Sequence, residues 1–403
     1  MILSLLIMSH GFFECFWISL KLGLVSFGGP VAHLGYFRNT YVEQKGWLSE
    51  ERYAELVALT QFLPGPGSSQ LGAAIGYERG GWLGGLGAWV GFTLPSALVM
   101  IAFAIGMGSV QVWFGNGWLH GLKLAAVAVV TVALLGMRKS LCPKFPEMLL
   151  ALVALATLFI VPQAWVQPVV ILLGGFAGVL MFGKASAIDE LCAKPLVETQ
   201  QRSAWWSSVL PAALVMAALM YLPTLFPGNN DAKGLGGLFH AGALVFGGGH
   251  VVLPLLETST VDAGFVDKDA FLAGYGAAQA VPGPLFTFGG FLGADMELLG
   301  SKWLGGAMGI VAIFLPGMVL LAGGLPVWNR LKHFSWARAG VRGANATVVG
   351  VLGAALLGML TNGSVSGLVD AAAIVALALA IYFKWLPVWA IVILAAIAGG
   401  LLG

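Results

Sequence analysis

Two short strings carry most of the polar chemistry of this chain. "FLPGPGSSQLG" occupies residues 62–72 and "AVPGPLFTFGG" residues 280–290, each inside an apolar stretch. Gln61 stands three residues before Pro64, and Gln279 three residues before Pro282. A proline within a helix deletes a hydrogen bond, clashes with the preceding turn and pushes its predecessor out of the helical region. Pro64-Gly65-Pro66 and Pro282-Gly283-Pro284 should therefore each unwind about one turn. A helix then restarts at Gly67, Ser68 and Ser69 in the first string, and at Leu285, Phe286 and Thr287 in the second. A helix start offers unpaired N–H groups and about half a positive charge. Ser68, Ser69 and Thr287 add hydroxyl donors. The chemistry this predicts is capture of a small oxyanion. For either string alone, a packing kink without a ligand is the plainer alternative.

Other residues fall at matched places. Phe27-Gly28-Gly29-Pro30 and Phe246-Gly247-Gly248-Gly249 form a second pair of interruptions, where adjacent glycines allow close approach of a ligand or of another helix. Six residues before each phenylalanine stand Lys21 and His240. A lysine inside a span costs about 2.5–3.5 kcal/mol on insertion scales, so it faces a partner or polar pathway, or snorkels to the interface. Histidine is the side chain that serves as a proton switch near neutral pH, so His240 is a candidate for proton coupling. Glu14, seven residues from Lys21, is a candidate counter-charge. Lys123 and Arg342 correspond at the starts of later spans, where snorkelling and attraction of an anion are both open. His33 and His250 do not correspond and are assigned to structure or loop contacts. Ser49 is expected to cap a helix whose first turn holds Glu50 and Glu51.

These residues must be positioned inside a bilayer. Of 403 residues, 59% are hydrophobic and 9% charged, too few charges to cover a soluble domain. About thirteen apolar segments lie near 10–31, 52–77, 81–107, 118–137, 147–162, 165–183, 205–226, 235–255, 270–294, 303–325, 339–360, 366–383 and 386–402. The fold class expected is an all-α polytopic membrane protein. The first segment lacks a basic start and a clear cleavage site, so it is read as a retained span. Cys15, Cys142 and Cys192 form no CxxC pair, and a net charge of +2 suggests no nucleic-acid partner. No metal ligand set, cofactor motif or catalytic motif is present in the sequence.

The chain repeats itself. "GWLSEERYAELVALTQFLPGPG" (46–67) aligns without a gap to "GFVDKDAFLAGYGAAQAVPGPL" (264–285), "WLGG" recurs at 82–85 and 303–306, and "GLKLAAVAVV" (121–130) answers "GVRGANATVV" (340–349). The expected organisation is an N-terminal repeat of six spans (1–183), a charged cytoplasmic linker (184–204), one extra span (205–226) and a C-terminal repeat of six spans (227–403). Six spans plus one would turn the second copy upside down, as in many secondary transporters. With thirteen full crossings, twelve of the twenty Lys and Arg residues fall on one side and five on the other. That count favours broken helices that cross fully, a cytoplasmic N-terminus and an external C-terminus.

The strings "KLGLVSFGGPVAHLGYFR", "GWLSEERYAELVALTQFLPGPGSSQLGAAIGY", "GALVFGGGHVVLPLLE" and "FLAGYGAAQAVPGPLFTFGGFLGA" resemble the chromate ion transporter family in its two-domain form. The resemblance covers nearly the whole chain. It implies a permease of the plasma (inner) membrane that exports chromate, driven by membrane potential or a proton gradient, and so confers chromate resistance. The residues it carries over are Lys21, the Gly28–Pro30 turn, Gln61, both PGP turns and the Gly247–His250 stretch; His240 stands where the first copy has lysine. Sulfate, another tetrahedral dianion, is the alternative cargo, and a homodimer is compatible with the sequence. A non-transporting membrane enzyme or scaffold is the alternative from another class, but no nucleophile, metal set or paired carboxylates converge to support it.

Overall fold

A computed structural model describes residues 2–27, 29–114, 117–161, 163, 166–183, 206–226, 228–245, 252–328, 334–361 and 367–402. The described residues are mostly helical, with no strand among them. Four helices are long and apolar enough to cross a membrane: Gly67–Ser109, Gly117–Leu141, Lys302–Gly324 and Ser335–Thr361. Shorter apolar helices fill most of the remaining expected segments.

In the first half, α1 (Ile2–Val25) ends in a break. It is followed by α2 (Gly29–Phe37), which runs on as a π-helical turn over Arg38–Gln44. Helix α3 (Glu50–Phe62) leads into the first PGP turn, and α4 (Gly67–Phe114) leaves it with a kink at Gly80 and Gly81. Helices α5 (Gly117–Leu141), α6 (Phe145–Ile160) and α7 (Val166–Phe182) complete the half. Helix α8 (Trp206–Tyr221) precedes the second half. There α9 (Asn230–Ala243), α10 (Val252–Leu256) with a π-helical turn over Glu257–Val261, and α11 (Lys268–Ala280) lead to the second PGP turn. After it come α12 (Phe288–Asp295), α13 (Lys302–Gly324), α14 (Ser335–Thr361), α15 (Leu368–Tyr382) and α16 (Val388–Leu402).

The local physics is duplicated. Ser49 accepts from the Arg52 N–H and so caps α3 as expected, while Asp267 accepts from Asp269 and Ala270 to cap α11. Both π-helical turns fall 219 positions apart, at Arg38 and Glu257. Gly23 lies so close to Phe92 that a Cβ would meet its carbonyl at 2.6 Å, and Gly242 meets Ile313 in the same way at 2.1 Å. Small residues at these places let α1 and α9 pack backbone to backbone on α4 and α13. The halves also exchange partners: α7 lies against α14 and α16 against α5.

One expectation is corrected. The broken segments 52–77 and 270–294 do not continue across. Arg52, at the start of α3, is 2.5 Å from Glu78, near the end of the first part of α4, so the PGP turn folds the chain back on itself. In the second copy Gly274 on α11 packs on the Phe291 ring of α12, and Asp267 and Asp295 lie close enough for their charges to interact. Two helix-breaking prolines and a left-handed glycine between them permit a reversal, not merely a kink.

Candidate functional site

The tips of these hairpins meet. The Gly65 N–H donates to the Val245 carbonyl at 2.7 Å, and the Gly283 N–H donates to the Ser26 carbonyl at 2.9 Å. Val245 and Ser26 are corresponding residues at the edges of the two glycine interruptions. Each PGP turn is therefore pinned to the interruption of the other copy. Both central glycines are left-handed, with φ +125° at Gly65 and +102° at Gly283.

A cavity opens where the first turn meets the second. It is lined by Thr60, Gln61, Gly65, Pro66, Gly67 and Ser68 from one copy, with Pro30 and Leu34 from the first interruption and helix α2, and by Pro284, Leu285 and Phe286 from the other copy. A second cavity brings together Gly29, Gln279, Gly283 and Leu285 with apolar residues of α5, α15 and α16. Leu285 borders both. The first-turn N–H groups of α4 are free of intrahelical partners by helix geometry. The buried amide nitrogen of Gln279 and the buried hydroxyl of Ser69 have no hydrogen-bond partner. Such groups cost free energy when left dry, so a polar ligand or water would satisfy them. Gln279 borders the second cavity, whereas Ser69 borders neither and follows Ser68, which borders the first.

The second tip differs from its counterpart. Leu285–Thr287 is a 3-10 turn and the α-helix begins only at Phe288. Thr287 is buried and its hydroxyl donates to the Pro284 carbonyl at 2.9 Å, so it braces the turn. Pro64 and Pro282 shape the turns without bordering either cavity.

Several other candidates lie apart from the cavities. Lys21 is exposed on α1, in a stripe with Phe13, Trp17 and Leu24. Glu14 is held by Arg79, at 3.1 Å, rather than by Lys21, because the kink at Gly80 brings Arg79 beside α1. His240 makes a hydrogen bond to the Met220 carbonyl of α8 at 3.1 Å. Lys123 pairs with Asp269 at 2.9 Å. Arg342 pairs with the fully buried Glu147, its Nε 2.8 Å from Oε1, and lies over the Phe182 ring. His33 is structural: its Nε2 lies 3.1 Å from the same Ser26 carbonyl that receives Gly283. Gly28, Gly247, Gly248, His250 and the linker 184–204 lie outside the described residues.

One residue of the site escaped the sequence reading. Gln70 is fully buried and donates through Nε2 to the carbonyls of Pro64, at 3.1 Å, and Gly317, at 2.8 Å. Both neighbours are acceptors, so the amide nitrogen must face them. Gln70 thus ties the first PGP turn to α13. The available signal was an amide inside an otherwise apolar helix, six residues beyond Pro64; its counterpart in the second copy is Phe288.

Fold and site together define a helical membrane protein with two interlocked, broken-helix repeats. The sequence profile of the chromate transporter family matches it twice, over residues 13–179 and 235–401, and the chain belongs to that family. It is 29% identical over 400 residues to the chromate transport protein of Pseudomonas aeruginosa, covering 95% of this chain and 90% of that one. It is 27% identical over 388 residues to the chromate transport protein of Cupriavidus metallidurans, covering 94% and 90%. The probable chromate transport protein of Synechococcus elongatus is 27% identical over 346 residues, covering 84% and 82%. These relatives are transporters, and the chain is not an enzyme. No solved structure shows a significant match.

Proposed function

We propose that the protein is a secondary active transporter that exports chromate from the cytoplasm and so confers resistance to it. The observation that carries this reading is the shared cavity at the two PGP tips, where Gln61, Gly67 and Ser68 of one copy face Pro284 and Leu285 of the other. Helix-start N–H groups and neutral amide and hydroxyl donors suit a tetrahedral dianion, because they bind charge without fixing it permanently. The relatives named above as chromate transport proteins supply the cargo. Lys21 and His240 lie off the cavities, so the donor set proposed for the anion is Gln61, Ser68, Gln279 and the turn backbones. Ser69 joins them: it borders neither cavity but follows Ser68 and carries a buried, unpartnered hydroxyl.

The two copies are proposed to be inverted, with α8 as the extra crossing. Helices α1 and α2 also double back, since Arg79 both pairs with Glu14 and lies over Trp47. So does α9 on the π-helical turn after α10, where Gly237 meets Ser259. With the PGP hairpins each copy then skips two crossings, and α8 leaves the copies inverted. Counted this way, Arg38, Lys45, Arg52, Arg79, Arg138, Lys139, Lys144, Arg338 and Lys384 gather on one face, against Lys233, Lys268 and Lys302 on the other. That imbalance makes the first face cytoplasmic, with the N-terminus inside and the C-terminus outside. It is sharper than the count for thirteen full crossings.

The test is chromate flux in proteoliposomes under an imposed potential or pH gradient, with sulfate as competitor. Saturable, gradient-driven chromate flux is expected. Absence of flux, or equal or tighter sulfate affinity, overturns the assignment.

A further inference from the structure

The repeats are alike in sequence but not in packing. On α11, the stripe Asp269, Leu272, Gly276 and Gln279 runs down to the second cavity. Leu272 and Gly276 on it are buried. A Cβ on Gly276 would stand 2.6 Å from the Leu122 carbonyl of α5, and Lys123 on the next residue of α5 pairs with Asp269 at the mouth. The corresponding stripe on α3 is Glu51, Ala54, Ala58 and Gln61, and all four residues are exposed. Among the described residues α3 packs on α4 and its π-helical turn, with no comparable seam to α14, the counterpart of α5. A face of Glu, Ala, Ala and Gln is unsuited to lipid, and it descends to Gln61 in the first cavity.

Charge is repeated where packing is not. Lys123 corresponds to Arg342 and Asp269 to Glu51, so the cation and the acid of the closed seam both have counterparts in the open one. Arg342 instead turns to Glu147 on α6. We propose that Arg342 and Glu51 form the second of two alternating gates. On this view Lys123–Asp269 seals the outer mouth in the present state while the α3 stripe walls an open cytoplasmic path. In the opposite state α14 covers that stripe, Arg342 leaves Glu147 for Glu51, and Lys123 parts from Asp269. This deepens the transport reading, since it rests on inverted repeats that exchange conformations. Only one gate closes at a time.

The test uses the full chain in membranes, with Cys192→Ser and the buried Cys15 and Cys142 retained. Paired cysteines at Glu51 and Arg342, and separately at Lys123 and Asp269, are cross-linked with a short thiol-specific reagent, and chromate flux is followed before and after reduction. Both pairs should cross-link, each should abolish flux reversibly, and closing 123–269 first should prevent closure of 51–342. Failure of 51–342 to cross-link in a variant that still carries flux would falsify the gate. Mutually exclusive cross-links in a protein without chromate flux would uphold the gate and reject the cargo. A milder variant guards against misfolding. Asp269→Asn removes only the outer ion pair and should lower the rate at which an aqueous thiol reagent labels Ala58→Cys, about threefold, by favouring the state in which α14 covers it. An unchanged labelling rate overturns the proposal.

Discussion

The backbone N–H of Gly65 reaches the carbonyl of Val245 across the boundary between the two copies, at 2.7 Å. The reciprocal bond from Gly283 to Ser26 makes the contact mutual, at 2.9 Å. Neither turn can shift without disturbing the other copy's interruption, so the pair acts as a common fulcrum for the two hairpins.

Both fulcrum glycines should resist substitution, and unequally. An alanine at either must hold a left-handed backbone, at about 1–3 kcal/mol. At Gly65 the added Cβ also meets the Gly317 Cα at 2.9 Å, whereas at Gly283 it meets the Ser96 hydroxyl at 2.8 Å, which can rotate away. Thermal unfolding in detergent should therefore show Gly65→Ala losing more stability than Gly283→Ala.

Gln70→Leu removes the donor that serves the part-buried carbonyl of Pro64 and the buried carbonyl of Gly317. The expected loss is about 2 kcal/mol or more. Because the first turn is then untethered from α13, chromate flux should fall further than stability alone explains. Comparison of flux with the folded fraction at one temperature separates the two effects.

Ser69→Ala should behave in the opposite way. Its hydroxyl is buried without a partner, so stability should be unchanged or slightly improved. A hydrogen bond to a charged ligand is worth about 1.5–3 kcal/mol, so the KM for chromate should rise roughly tenfold or more. A KM equal to wild type would remove Ser69 from the anion site.

Stability should also depend on pH through the α10–α11 connection. Burial raises the pKa of Glu257 above the ordinary carboxylate range, opposed by Lys268 at 3.3 Å, and burial raises Asp262 in the same sense. The folded state then holds more protons than the unfolded chain in that window, so stability is present below the unfolded carboxylate pKa and declines as pH rises through the folded value. Glu257→Gln should flatten this part of a melting-temperature profile.

Much of the site was legible because its causes are local. Prolines and a glycine in three residues break any helix, and Ser49 caps α3 whatever surrounds it. The duplication and its register were also plain in the residue order, since matching strings keep their spacing. Gln70 was overlooked because its role depends on Gly317, far along the chain. For Lys123 and Arg342 the sequence leaves snorkelling and anion attraction both open, because their acids, Asp269 and Glu147, are distant in sequence.

The sequence by itself determined that the chain enters a bilayer twice over with broken helices, and where each break falls. Only the tertiary structure decided that the breaks are reversals, that each is pinned to the other copy, and that the stripe below Asp269 is sealed while the stripe below Glu51 stands open. The reason is that breaking and capping are settled within a few residues, whereas sealing depends on which distant helix lies alongside.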